Sequence, residues 1–112
     1  MIDSYGSLAR RKGLGMNFDA FQKTVDQWIQ GHGRYWNKFE ILARLAEDLG
    51  EIATTLQHTE GLRTGRDELN VADEIGDLLF TLAAFANVNG LSLGDCVDGV
   101  LEKYQTREST EW

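Results

Sequence analysis

The chain has 112 residues, 42% of them hydrophobic and 26% charged, with a formal net charge of −7. That length supports one modest core, and the composition is that of a folded globular chain rather than a disordered one. Eighteen acidic against 11 basic residues exclude sequence-independent DNA binding through a basic surface. An acidic chain still accommodates a nucleotide where a divalent cation bridges its carboxylates to the phosphates.

Residues 1–16 (MIDSYGSLARRKGLGM) carry three glycines, no steady period and the basic run Arg10-Arg11-Lys12. They read as a flexible lead-in whose basic run is a solvated tail. No signal-like apolar stretch opens the chain and no apolar run reaches the roughly 20 residues of a membrane span, so a cytoplasmic protein without a membrane partner is expected. Proline is absent throughout, which favours helices.

The first helix is predicted from Asn17, a good N-cap, to about Gln30. Phe18, Phe21, Val25, Trp28 and Ile29 recur at helical spacing and form its apolar face, and Gly31-His32-Gly33 stops it. A second helix is predicted over Tyr35 to His58, with the core stripe Phe39, Leu42, Leu45, Ala46, Leu49, Ile52, Ala53 and Leu56. The two-glycine segment 59–66 (TEGLRTGR) reads as a flexible connection. A third helix follows, starting around residues 67–69 and ending near Asn89-Gly90. A fourth opens at Ser92, another N-cap, with Leu93, Val97, Val100, Leu101 and Tyr104 on one side. Four amphipathic helices with short links predict an all-α bundle.

Two carboxylate pairs stand out on the second and third helices. Asp48 and Glu51 are three residues apart, as are Glu74 and Asp77, so each pair shares a helix face. Extending them gives Arg44, Asp48, Glu51, Thr55 on one helix and Asn70, Glu74, Asp77, Thr81 on the other, both with the repeat of a seam facing a neighbour. Glu47 falls on the far side of its helix from the apolar stripe. A single such pair is ordinarily a solvated flank. The third helix changes that reading, because after Asp77 it runs LLFTLAAFANV, apolar nearly all round, which predicts burial. Carboxylates opening a buried helix need a cation or a metal. An all-oxygen donor set suits Mg²⁺ or Mn²⁺.

Other chemistries fit less well. Di-iron bundles use Glu-x-x-His, whereas Ile29 precedes His32 by three positions and Thr55 precedes His58. Both histidines read as loop residues at helix ends. Cys96 is the sole cysteine, which excludes an intrachain disulfide, and no histidine lies near it to activate a thiolate.

The stretch RLAEDLGEIA, a spacer, then DEIGDLLFTLAAFAN resembles the MazG-like nucleotide pyrophosphohydrolases, whose signature is E-x-x-E, a spacer and E-x-x-D on two antiparallel helices. The likeness continues through NVNGLSLGD and EKYQTR and makes residues 17–112 one such domain, a four-helix bundle completed by homo-oligomerisation. By this resemblance Asp48, Glu51, Glu74 and Asp77 are the Mg²⁺ ligands, with Mn²⁺ a possible substitute, and Glu47 polarises the water or acts from behind them. It also implies that Arg44 faces the phosphates, that Lys103 and Arg107 contact them, and that Asn87 helps hold the nucleotide. Trp28, Tyr35 and Trp36 are candidates to stack on the base, although aromatics at such spacing more often belong to a core. Asp48 departs from the family pattern, where a glutamate reaches one methylene further.

The implied reaction is hydrolysis of an NTP or dNTP between the α and β phosphates, giving the monophosphate and pyrophosphate, in nucleotide-pool house-cleaning. Two alternatives remain: a phosphoribosyl-ATP or dUTP/dCTP-specific enzyme of the same superfamily, and a catalytically silent helical module that binds a metal or a partner. Covering the apolar third helix calls for a second copy, so a homodimer or a dimer of dimers is expected, with the nucleotide site near a subunit boundary.

Overall fold

The structure is a computed structural model that describes residues 17–61 and 70–107. Four α-helices and no strands are found among them: α1 (Phe18–Gly31), α2 (Lys38–Thr59), α3 (Val71–Val88) and α4 (Leu93–Thr106). The expected lead-in with its basic run, most of the connection after α2 and the expected start of the third helix at 67–69 lie outside the described residues. Among the described residues, no single helix is long and apolar enough to cross a membrane.

Short polar side chains set the helix starts. The side chain of Asn17 accepts from the Ala20 N–H, Asn70 from Asp73 and Ser92 from Asp95, each satisfying a donor that the first turn leaves open. Asn37 does more. It accepts from Phe39 and Glu40, while the Glu40 side chain accepts from the Asn37 N–H, completing a capping box. That box starts α2 three residues later than the expected Tyr35 and leaves Tyr35 and Trp36 in the connection. Asn70 is likewise a cap rather than a member of the α3 surface. At the far end of α3 the chain turns through Gly90, whose φ of +66° favours a residue without a Cβ. This turn sets α4 at 105° to α3.

Packing centres on α2 and α3, with α1 laid against α3 and α4 mainly against α1. Val25, Ile41, Ala83 and Ala84 form the buried centre, ringed by Phe21, Ile29, Tyr35, Phe80, Phe85, Val88 and Leu93. Small alanines on α3 allow close helix approach here.

The structure corrects the expected core of α2. Its buried residues are Ile41, Asp48 and Thr55, a strict seven-residue repeat. Phe39, Leu42, Leu49 and Leu56 are exposed, at 72%, 52%, 60% and 48%. The two rows lie about 100° apart on the helix, so α3 covers one and leaves the other open. Helix α3 is similarly divided: Ala83, Ala84 and Ala86 are buried, whereas Ile75, Leu79 and Leu82 remain exposed. Its apolar circumference is therefore only half covered within one chain. On α1, Val25 is buried but Phe18 and Trp28 are exposed, and on α4 Val100, Leu101 and Tyr104 are exposed.

Candidate active site

The polar seam between α2 and α3 holds the buried carboxylate of Asp48 and the half-buried carboxylate of Glu74. Asp48 is 3% exposed, and its Oδ1 accepts from the Arg44 guanidinium Nε at 3.1 Å, one turn earlier on the same helix. Thr55, fully buried one heptad further along, donates its hydroxyl to Glu74 Oε1 across the seam. Glu74 lies in the first turn of α3, where the helix dipole favours negative charge. Each carboxylate nevertheless retains one buried oxygen, Asp48 Oδ2 and Glu74 Oε2, without a hydrogen-bond partner.

Such orphaned acceptors are costly, because burial strips their water and nothing replaces it. A cation is the chemical complement of a partnerless carboxylate oxygen, so Asp48 and Glu74 are each chemically suited to ligate a divalent metal. Glu47, Glu51 and Asp77 are exposed. Among the described residues no three acidic, histidine or cysteine side chains close on one point. The structure thus brings Asp48 and Glu74 into the seam and leaves Glu51 and Asp77 at its solvent edge.

Beside the seam opens a cavity of about 390 Å³, walled by Trp28, His32, Arg34, Tyr35, Trp36, Arg44, Phe80 and Thr81 among others. Arg44 belongs to both places, since it lines the cavity and bonds Asp48. One face of Trp28 is already occupied: His32 stacks on it at 4.0 Å and 12°, with its Nδ1 held 2.7 Å from the Trp28 carbonyl oxygen. That oxygen can only accept, so Nδ1 carries the proton and Nε2 is left as an acceptor in the neutral ring. Phe80 meets Trp28 edge-on. Trp36 is as exposed as Trp28, and it is the freer aromatic wall because the ring contacts found fall on Trp28.

Lys103 and Arg107 are placed differently. Both flank the Tyr104 ring on α4, at 5.8 and 4.8 Å, on a helix packed mainly against α1 rather than along the carboxylate seam. Asn87 lies outside the lining of this cavity, in a polar network joining α1, α3 and the connection after α1. Its Nδ2 donates to the Gln22 carbonyl at 3.2 Å and to the Tyr35 hydroxyl at 2.9 Å, while its Oδ1 accepts from Gln22 Nε2 at 2.8 Å. Tyr35 in turn donates to Asp26 at 2.6 Å. Burial, then the Asp26 carboxylate, push the Tyr35 hydroxyl up to about 12. Gln22 also donates to the Leu91 carbonyl and accepts from the Leu93 N–H, tying in the turn before α4.

Sequence reasoning did not single out Gln22, Asp26, Arg34, Phe80 or the Thr55–Glu74 bond. Thr55 was visible as a member of the polar stripe. The pairing of Gln22 with Asn87 joins positions 65 apart, and no local spacing signals it.

Comparison with known proteins agrees in direction. Residues 37–112 match the model of the MazG nucleotide pyrophosphohydrolase domain. The uncharacterized protein YpjD of Bacillus subtilis is 36% identical over 95 residues, spanning 81% of this chain and 86% of the relative. The crystal structure of Bacillus subtilis YPJD, a candidate pyrophosphatase, superposes with a TM-score of 0.72 at 34% identity, covering 82% of this chain and 96% of that one. A Bacillus-conserved MazG protein, a nucleotide pyrophosphohydrolase, gives a TM-score of 0.67 at 28% identity, over 86% of this chain and 96% of its own.

Proposed function

Because this chain belongs to the MazG nucleotide pyrophosphohydrolase family, we propose that it hydrolyses nucleoside triphosphates, ribo or deoxy, between the α and β phosphates, with Mg²⁺ as cofactor. The observation that carries the reading is the pair of buried, partnerless oxygens on Asp48 and Glu74, linked through Arg44 to an aromatic cavity. Asp48, Glu51, Glu74 and Asp77 would hold the metal, with Mn²⁺ as a substitute. When bound, the ion supplies charge neutralisation of the triphosphate and a more acidic water.

The chain's own residues divide the remaining work. Trp36 and the open parts of Trp28 take the base, while the cavity wall excludes bulk water from it. Arg44 turns its charge toward the phosphates, and Lys103 and Arg107 add positive charge from α4. Water adds to the phosphorus on one side of the α–β bridge. The bridging oxygen leaves with the other phosphorus, so monophosphate and pyrophosphate separate. Glu47, on the exposed side of α2, receives the water's proton directly or through solvent. Clearance of unwanted nucleotides from the pool is the role we assign, in the cytoplasm.

The second part of this proposal is assembly. Phe39, Leu42, Ala46, Leu49, Ala53 and Leu56 repeat at alternating spacings of three and four along α2, and all six are exposed. With Ile75, Leu79 and Leu82 of α3 they form an uncovered apolar face of the kind that marks an interface. A second copy offers the same face in return, giving a dimer or a dimer of dimers. Light scattering should show the wild type as a multiple of the monomer mass and Leu49→Glu as a smaller species. A stable, active wild-type monomer at micromolar concentration ends this part of the reading.

One observation favours a rival. Glu51 and Asp77 stand exposed and, among the described residues, no three acids close on one point, as expected of a silent metal- or partner-binding module. The deciding experiment incubates the protein with each common NTP and dNTP and Mg²⁺ and identifies products by mass. Monophosphate and pyrophosphate from any of them support the enzyme; none from all of them, at full metal occupancy, supports the module. The same screen separates a general enzyme from a dUTP/dCTP-specific one, and phosphoribosyl-ATP as an added substrate tests that branch of the superfamily.

A further inference from the structure

A side-chain amide is easily read as a substrate contact, but at position 87 both of its donors are already spent. An asparagine amide has two N–H donors. In Asn87 one goes to the Gln22 carbonyl and the other to the Tyr35 hydroxyl. Neither is left for a phosphate or sugar oxygen. Its Oδ1 is engaged by Gln22 as well. Asn87 is missing from the lining of the aromatic cavity, of which Tyr35 is part, and borders instead an open pocket with Gln22, Asp26 and Leu91.

Tyr35 is equally committed. Its hydroxyl donates to Asp26 on α1 and accepts from Asn87 on α3, so one atom ties the connection between α1 and α2 to two helices. That connection supplies His32, Arg34 and Trp36 to the cavity wall. It contains Gly33 at a φ of +127°, a conformation open chiefly to glycine, so local backbone preference does little to fix its path. Apart from helix caps, the other bonds found along it are local: Arg34 Nη1 to the Tyr35 carbonyl at 3.4 Å, and His32 to Trp28.

We infer that Asn87 is a positioning residue that acts through Tyr35: the Asn87–Tyr35–Asp26 chain holds the segment bearing Arg34 and Trp36 in place and so sets nucleotide affinity without touching the nucleotide. This rests on the proposed function for the identity of the ligand. The geometry of the relay is independent of it. The relay fixes a binding wall and leaves the carboxylate seam alone, so its loss weakens binding and spares the chemical step.

A double-mutant cycle tests this, because a residue acting through another loses its effect when the other is removed. The variants are Tyr35→Phe, Asn87→Ala and the pair, with Asn87→Ser in place of Asn87→Ala should the alanine variant not fold. Binding of α,β-methylene analogues of the common NTPs and dNTPs is followed by tryptophan fluorescence, and KM and kcat by pyrophosphate release. Each single variant should raise Kd and KM about tenfold, the scale of a hydrogen bond whose loss frees a segment, with kcat within about twofold. Adding Asn87→Ala to Tyr35→Phe should cost less than about a further twofold. A full tenfold loss in the Tyr35→Phe background would show direct contact and overturn the inference, as would a fall in kcat at constant KM. Should the wild type bind none of the analogues, the nucleotide reading fails by itself. The relay is then decided by amide exchange of residues 33–37: equal acceleration in both single variants upholds it, and unchanged exchange refutes it.

Discussion

Two polar clusters lie on opposite flanks of α3, and they differ in how completely their groups are paired. Around Tyr35, Asn87, Gln22 and Asp26 the donors and acceptors find partners, within one chain and without help from a ligand. Along the α2–α3 seam, Asp48 and Glu74 are each half satisfied, and one oxygen of each is buried with nothing to bond. A completed network rigidifies, while an incomplete one stores a cost that a ligand can relieve. The contrast rests on this chain alone, without reference to any relative.

The strongest way to break this comparison is to neutralise the incomplete cluster. Asp48→Asn and Glu74→Gln should each reduce pyrophosphate release by at least about a hundredfold, the scale seen when a charge-stabilising group is removed from a reacting centre. In metal-free buffer the same variants should melt at or above the wild-type temperature, because an amide costs less to bury unpaired than a charge. Tyr35→Phe, in the completed cluster, should instead lose about 1 kcal/mol of stability. Calorimetry on the three proteins reads out both signs. Destabilisation by Glu74→Gln equal to that of Tyr35→Phe would erase the distinction.

Next in size is the response to metal. A divalent ion that binds only the folded seam stabilises by mass action, about 2.7 kcal/mol at a hundredfold excess over Kd, which is several degrees of melting temperature for a domain this small. Wild-type protein should show that shift with Mg²⁺ or Mn²⁺, and Glu74→Gln less than half of it. Equal shifts in the two would place the ligands elsewhere.

How much of this was legible beforehand depends on whether the cause was local. The caps at Asn17 and Ser92 were, because a short polar side chain before an apolar period acts on its own next turn. The start of α2 was misread because the aromatic pair Tyr35-Trp36 extends the apolar pattern past the capping box at Asn37 and Glu40. Period alone also cannot say which half of a wide apolar stripe the chain will cover. The row of Phe39, Leu42, Leu49 and Leu56 was read as core, yet the helix turns Ile41, Asp48 and Thr55 inward. The repeated spacing on two helices singled out Asp48 and Glu74, but it singled out Glu51 and Asp77 equally, and those stand exposed. The completed cluster could not be found from spacing: its bonds join α1 to residues 65 and 71 positions away, and only the fold brings those together.

A smaller effect sharpens the completed side through pH. The Tyr35 hydroxyl is raised from 10.0 to about 12 by burial and by Asp26. Between those values the unfolded chain has released the proton and the folded chain still holds it. The folded state therefore binds more protons, and stability falls as pH rises across that window. Tyr35→Phe has no such proton. The stability gap between wild type and Tyr35→Phe should be constant below pH 10, then shrink and pass through zero between pH 10 and 12. Parallel urea titrations at stepped pH measure it, and a gap that stays constant through the window would mean that the hydroxyl is not held as described.

The smallest expected change concerns Glu47, next to Asp48 in sequence and about 100° away on the helix. Asp48 is 3% exposed and faces the seam, whereas Glu47 is in solvent. A solvent-facing carboxylate that takes up a proton has water as an alternative acceptor, so Glu47→Gln should lose no more than about tenfold in rate. Asp48→Glu tests the opposite variable, keeping the charge and adding one methylene. Mg²⁺ holds its oxygen ligands at about 2.0–2.1 Å in near-octahedral geometry, which punishes loss of charge more than a change of reach that a small helix shift absorbs. Asp48→Glu should therefore match or exceed the wild type, with Glu47→Gln below it and Asp48→Asn far lower. Initial rates against Mg²⁺ concentration, with circular dichroism as the check on folding, give the order. If Glu47→Gln falls as far as Asp48→Asn, the side of α2 turned away from the seam takes part in the reaction as directly as the seam does.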